Sequence, residues 1–593
     1  MKSPRLLVLL AASASALFAA NPDFDRWAES FSTDWVRGNP TFSTVQQYLP
    51  AEEQDALDRQ LTPVSREYRA ARATVAARGL NELAQFDRDS LSPDQRTSAA
   101  VIEWSLDGTV RGEAFADFGF VFHQMGGLHV GLVNFLTQSH PIRNKRDVEN
   151  YLARLEQVAA RIDEGVAVAQ AGAARGLLMP DFITRSVLGQ FARFFAGPPS
   201  QNRFVASLDE RAALLPDISA EQRAAWVATA EKITTESILP AFQRAQAMLQ
   251  EQLPLTNSNA GLAWREGGDA AYAEALRRFT TTTMSADEIH ELGLREVARI
   301  EAEMDKHLRS LGYTDGSVKA RYEQLNDDVQ PKGDEDPRPA LIARFEALLA
   351  DAVERSKSVF DITPKAPCVV KREPAFTEKT AAAHYSGPAK DGSRPGIFWA
   401  PLPGPKFSIL GMRTLTYHEG IPGHHFQIAL QRETESLPRY RRDGVFSGGS
   451  AYAEGWALYA EQLATENDWY AGDTHGLLGQ LNAELFRARR LVVDTGLHAK
   501  KWTRQQVIDY GIPASEAERY VVMPGQACSY KVGMIKILEL RAMAQEALGE
   551  KFSIKQFHNV VLQTGNVPLA VLEQVIDAWI ADTLVAAEEV AQN

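Results

Sequence analysis

Residues 286–312 read ADEIHELGLREVARIEAEMDKHLRSLG. Val297, Ile300, Met304, Leu308 and Leu311 recur at three- and four-residue steps, which puts them on one stripe of an α-helix with the charged residues opposite. The same period runs through VENYLARLEQVAARIDEGVAVAQ (148–170), ALIARFEALLADAVERSKSVF (340–360) and AVIEWSLDG (100–108). The fold class is therefore expected to be mainly α, a large helical lobed enzyme. One region departs from this pattern. APCVVKREPAF (366–376) and AAAHYSGPAKDGSRPGIFWAPLPGP (381–405) are β-prone runs punctuated by Gly and Pro, and they predict a small β-sheet. That sheet is either an ordinary excursion or an exposed edge that receives a peptide backbone as an added strand. The polar stretch LPLTNSNAGLA (253–263) is the expected boundary between an N-terminal helical region, 21–255, and a catalytic region, 256–593. NDDVQPKGDEDPRP (326–339) reads as a solvated loop.

At 593 residues and 45% hydrophobic content the chain can bury a large core. A formal net charge of −13 argues against nucleic acid or an anionic membrane surface as partner, because both attract a basic field. Small or peptidic substrates fit better. The first twenty residues, MKSPRLLVLLAASASALFAA, join Lys2 and Arg5 to an apolar run too short to span a bilayer, ending among small residues. This predicts a signal peptide over 1–20, a periplasmic or secreted mature protein and no stable membrane anchor. Cys368 and Cys528 are the only cysteines, so there is none near the signal for lipid attachment and no cysteine-rich metal site. A disulfide and two buried thiols are both open to them.

Three of the twelve histidines fall in TLTYHEGIPGHHFQ (414–427): His418, His424 and His425, with Glu419 directly after the first. Zinc takes neutral imidazole and carboxylate ligands, and hydrolytic zinc needs an adjacent carboxylate to accept a proton from water. The spacing is not the usual H-E-x-x-H, in which i and i+4 share a helical face. At i+6 the second imidazole lies well around the cylinder, so an uninterrupted helix cannot bring the two together. Gly420, Pro422 and Gly423 supply the interruption, a bulged or π-like turn that returns His424 to His418. His425 is then a second-choice ligand or a hydrogen-bond donor to substrate. Downstream, GVFSGGSAYAEGWALYAEQLATE (444–466) begins with a Gly- and Ser-rich turn, offers Ser450 as N-cap, and continues as a helix with Glu454 and Glu461 nearly on one face. Glu454 is the expected third ligand, and Glu461 the group that orients a ligand histidine. Arg487 and Arg490, three apart in AELFRARRLVV (483–493), are either a grip for a substrate carboxylate or structural partners of carboxylates near Glu454.

HEGIPGHHFQ (418–427), AYAEGWALYAE (451–461), RLVVDTGLHAKKWT (490–503) and VMPGQACSYKVG (522–533) resemble the signatures of a bacterial family catalogued as DUF885. That family is similar in arrangement to the gluzincin metallopeptidases, largely helical proteins with a deep channel. The resemblance implies a peptidase with one Zn2+ per chain held by His418, His424 and Glu454, with Glu419 as general base. In the family pattern the position of His425 can hold Tyr, which favours His424 as ligand. His498 and Tyr530 lie in motifs shared with the family, and they are the candidate donors to the oxyanion.

Two rival readings use the same residues: a hydrolase of non-peptide amides or esters, and a silent protein that keeps the metal for structure. A di-iron bundle is disfavoured because no histidine has a Glu three residues before it. No G-x-S-x-G elbow points to a serine hydrolase.

Overall fold

The computed structural model describes residues 20–592 apart from 375–377, 380 and 391, so the signal peptide expected over 1–20 lies almost wholly outside the described residues. Helices dominate. In the first part run α1 (Pro22–Arg37), α2 (Pro93–Glu113) and α3 (Lys145–Ala173), and in the middle α4 (Gly268–Thr280), α5 (Ala286–Ser310) and α6 (Arg338–Ser356). The last part holds α7 (His424–Glu433), α8 (Ser450–Glu466), α9 (Thr474–Ala499), α10 (Ser529–Leu548) and α11 (Leu569–Gln592). Local sequence fixes several starts. Pro93 opens α2 behind Ser92, which exchanges hydrogen bonds with Gln95 in a capping box, and Ser285 and Glu288 do the same for α5. The apolar stripe of α5 buries Ile300, Met304 and Leu308 against Leu478, Leu481 and Leu485 of α9. No described helix is long and apolar enough to cross a membrane.

The expected sheet is present just before the histidine-rich segment. β1 (Cys368–Arg372), β2 (His384–Ser386) and β3 (Gly396–Ala400) lie in the order β1-β3-β2. β1 runs parallel to β3, with Cys368 opposite Gly396, and β2 runs antiparallel to it, with Tyr385 opposite Phe398. Phe398 is fully buried and meets Phe345 of α6 edge to face at 5.2 Å.

Two buried clusters draw on residues from both sides of position 255. One joins Phe24, Phe31 and Ile102 to Tyr417, Trp456 and Ile537. Another joins Tyr151, Phe191 and Phe242 to Val493, Leu497 and Tyr520. Burying each such side chain stabilises by roughly 1.5–3 kcal/mol, so residues 21–255 and the C-terminal helices share buried apolar contacts. Cys368 and Cys528 are both free thiols.

Candidate metal centre

The residues inserted between His418 and His424 decide whether the two can meet. Thr416–Gly420 forms a π-helical turn, Ile421 is extended, and the helix restarts at His424. The chain doubles back so tightly that a Cβ on Gly423 would lie 2.0 Å from the His418 carbonyl oxygen and 2.3 Å from that of Tyr417. Only glycine fits there. Trp456 of α8 donates its indole N–H to the Pro422 carbonyl at 2.9 Å, which fastens the turn to the helix carrying Glu454. His424 is returned beside His418, with ring centroids 4.8 Å apart.

Glu454 Oε2 faces both imidazoles, 3.5 Å from His418 Nε2 and 3.4 Å from His424 Nε2. One ligand atom from each of the three residues lies within 4.8 Å of the others. Glu454 Oε2 is buried without a well-formed hydrogen bond, a costly condition for a carboxylate unless a cation answers it. Two imidazole nitrogens and a carboxylate oxygen also match the donor set of catalytic zinc sites. The residues therefore fit a metal ion. His418 Nδ1 lies 2.8 Å from Glu461 Oε1, and Arg487 Nη2 stands 3.9 Å behind that oxygen.

Electrostatics points the same way. Burial opposes charge on His418, but Glu454, Glu461 and Glu419 outweigh it and push its pKa up to about 10. Burial would raise the Glu454 carboxyl, yet His418 and His424 hold it well below the usual carboxylate range. Both directions express a demand for positive charge among these carboxylates, met by protons or by a divalent cation. Glu419 is buried on the same turn as His418. Its charge reaches His418 on one side and the Cys368 thiol of β1 on the other.

The family model of bacterial proteins of unknown function designated DUF885 matches residues 40–576. The chain belongs to DUF885. This DUF885 protein is similar to the crystal structure of a candidate lipoprotein from Colwellia psychrerythraea, at 30% identity over 94% of this chain and 99% of that one, with a TM-score of 0.85. It is also similar to a candidate lipoprotein of unknown function from Shewanella oneidensis, at 20% identity over 94% of this chain and 100% of that one. The TM-score of 0.71 there speaks for the fold alone. No curated protein matches the DUF885 chain.

The other residues singled out in the sequence divide. Leu458, one turn beyond Glu454, packs with Tyr530 of α10. The Tyr530 hydroxyl accepts from Arg519 at 3.4 Å, and its own hydrogen has no acceptor among the described residues. His498 is different: Nδ1 accepts from the Leu262 amide at 3.1 Å and Nε2 pairs with the Tyr520 carbonyl at 3.0 Å. With both nitrogens engaged and burial lowering its pKa to about 3, His498 has no N–H to offer an oxyanion. His425 turns to the sheet, its Nδ1 2.9 Å from the Tyr385 hydroxyl, and burial lowers its pKa to about 4. That contact ties His425 to β2. Arg490 is enclosed by Glu516 at 2.9 Å, the Tyr520 hydroxyl at 3.0 Å and the Tyr530 ring at 4.5 Å. Arg487 backs Glu461. Both arginines thus have carboxylate partners within the fold. Ser450 does not cap α8, whose N-cap is Gly449. Its hydroxyl pairs with Ser529 at 2.7 Å and accepts from Gln526 at 3.2 Å, linking α8 to the GQACSYKVG segment.

Proposed function

We propose that this DUF885 protein is an exported zinc metallopeptidase, with one Zn2+ per chain held by His418, His424 and Glu454. The observation that carries the reading is the convergence of these three donors around a buried Glu454 oxygen that lacks a hydrogen-bond partner. The gluzincin-like motif order and the sheet lying before the metal segment support a peptide as substrate. Similarity to the candidate lipoprotein of Colwellia psychrerythraea supports export.

Bound there, zinc supplies Lewis-acid activation of a water and of the scissile carbonyl. Glu419 accepts the proton of the attacking water and returns it to the leaving amine. Tyr530 directs its uncommitted hydroxyl hydrogen to the carbonyl oxygen as negative charge develops, and Arg519 strengthens that donor. Glu461 accepts from His418 Nδ1–H, which fixes the tautomer that turns the Nε2 lone pair toward Glu454.

Elemental analysis of the mature wild-type protein, His424→Ala and His425→Ala, together with amine release from a mixed peptide library, tests the proposal. Zinc near one per chain, lost with His424→Ala and kept with His425→Ala, is expected, along with cleavage that a chelator blocks. Absence of zinc removes the reading, and zinc without peptide cleavage turns it toward simple amides, esters or a silent metal protein.

A further inference from the structure

We infer that the chain holds a second ligand site, independent of the metal centre, for a small organic carboxylate with an apolar body. A cavity of about 710 Å3 opens between α4, the start of α5 and the C-terminal end of α9. Its size suits a small ligand, and none of His418, His424, Glu454 or Glu461 lines it.

Arg265 is the group that asks for an anion. Its Nη2 donates to the Leu178 carbonyl at 2.9 Å and its guanidinium lies 4.9 Å from the centre of the Phe120 ring. No described carboxylate pairs with it. Arg265 is half-buried; a guanidinium partly withdrawn from water without a counter-charge carries a cost, and burial accordingly lowers its pKa to about 10. Its charge is felt at the imidazole of His498, which also lines the cavity and, as shown above, has both nitrogens engaged. The neighbour cannot neutralise it.

The rest of the lining agrees. Lys501 is exposed at the mouth, lies 5.1 Å from the Trp264 ring and has no described carboxylate partner. It adopts a left-handed backbone with φ of 58°, which non-glycine residues seldom do. Arg277 adds a third cation, already held by Glu274 and Asp107. Against these stands Asp269, the one acidic side chain in the lining, and it is exposed. Tyr272, Leu276 and Met284 form an apolar wall, and Thr282, Thr283 and Ser285 bring hydroxyls. A carboxylate suits the unpaired guanidinium because it accepts two parallel N–H bonds. The wall favours an aromatic or aliphatic body attached to it.

Calorimetric titration of the full mature chain with N-benzoylglycine, its neutral amide and inorganic phosphate tests this. The titrations use the His424→Ala background, so that a carboxylate binding at the metal centre is not mistaken for this site. One N-benzoylglycine per chain is expected, with the amide and phosphate each weaker by about tenfold or more. Arg265→Gln is expected to lose the same factor. Ala273→Trp, an exposed change at the mouth, fills the cavity while leaving the guanidinium in place, and decides the matter should Arg265→Gln fail to fold. Equal affinity for acid and amide, equal affinity for phosphate, binding kept in Ala273→Trp, or no heat at millimolar ligand overturns the inference.

Discussion

His418 Nδ1 lies 2.8 Å from Glu461 Oε1, two helical turns along α8 from Glu454, which faces the other nitrogen of the same ring at 3.5 Å. One helix thus both supplies a candidate ligand and orients another. Glu461→Gln keeps an acceptor for Nδ1–H but removes the charge that makes the imidazole a stronger donor to metal. Metal affinity is expected to fall about 10- to 100-fold, read by competition with a chromogenic chelator. An unchanged affinity assigns Glu461 a packing role only.

Glu419→Gln preserves the size of the side chain and leaves His418, His424 and Glu454 in place. Metal content is expected to match wild type while turnover falls about 10²- to 10⁴-fold, the range of a lost general base. Metal lost along with activity would instead place Glu419 among the ligands.

Trp456→Phe deletes the indole N–H that holds the Pro422 carbonyl at 2.9 Å. The ring is fully buried, so most packing survives and the orphaned carbonyl costs about 1–3 kcal/mol. Because that carbonyl belongs to the turn between the two histidines, metal affinity should fall together with the melting temperature. A lower melting point with normal affinity would show that the turn holds its shape unaided.

How much of this was legible in the sequence follows from the range of the interactions concerned. The stripe of α5 and the β-prone run before the histidines are local patterns, and the described elements follow them. The interruption between His418 and His424 was also legible, because six-residue spacing with Gly and Pro inside cannot continue one helix. Long-range pairing was not. Nothing local in LHAKKW shows that His498 meets the Leu262 amide, 236 residues away. The sequence likewise does not show that Arg490 stacks on Tyr530. The role of Ser450 was misread because a serine after two glycines looks like a cap, whereas its partners, Gln526 and Ser529, lie 76 and 79 residues away. The Trp456 anchor gave no signal beyond its place beside Glu454 in the motif.

Gly455 and Gly533 let α8 and α10 cross backbone against backbone. A Cβ on Gly533 would sit 2.0 Å from the Ala451 carbonyl oxygen, and one on Gly455 would sit 2.5 Å from the Gly533 carbonyl carbon. Neither obstacle is a flexible side-chain tip. Gly533→Ala must therefore spread the helices, at a cost of about 1–3 kcal/mol or more. Since α8 carries Glu454 and α10 carries Tyr530, metal affinity and turnover should both drop in whatever fraction stays folded. A Gly533→Ala protein with wild-type denaturation midpoint would refute this close crossing.

Asp494 gives a pH dependence that is separable from the metal. It is fully buried, and its Oδ1 accepts from the Tyr272 hydroxyl at 2.6 Å and the Gly525 amide at 2.9 Å. Its Oδ2 is buried without a well-formed hydrogen bond, and the Cys528 thiol beside the carboxylate favours its charged form. Burial outweighs those hydrogen bonds and raises the pKa from 3.8 to about 7. Between these two values the folded chain keeps a proton that the unfolded chain has lost. The contribution of Asp494 to stability is therefore greatest below the lower value, falls as pH rises through the window, and stays lost above it. A rise of that size corresponds to on the order of 4 kcal/mol. Asp494→Asn keeps the Oδ1 acceptor and cannot ionise. In the His424→Ala background, which removes metal linkage, the variant should gain on its parent in denaturation midpoint as pH rises from 5 to 8. A difference that does not change between those pH values would mean that Asp494 is already ionised in the fold and that Tyr272, Gly525 and Cys528 stabilise the charge.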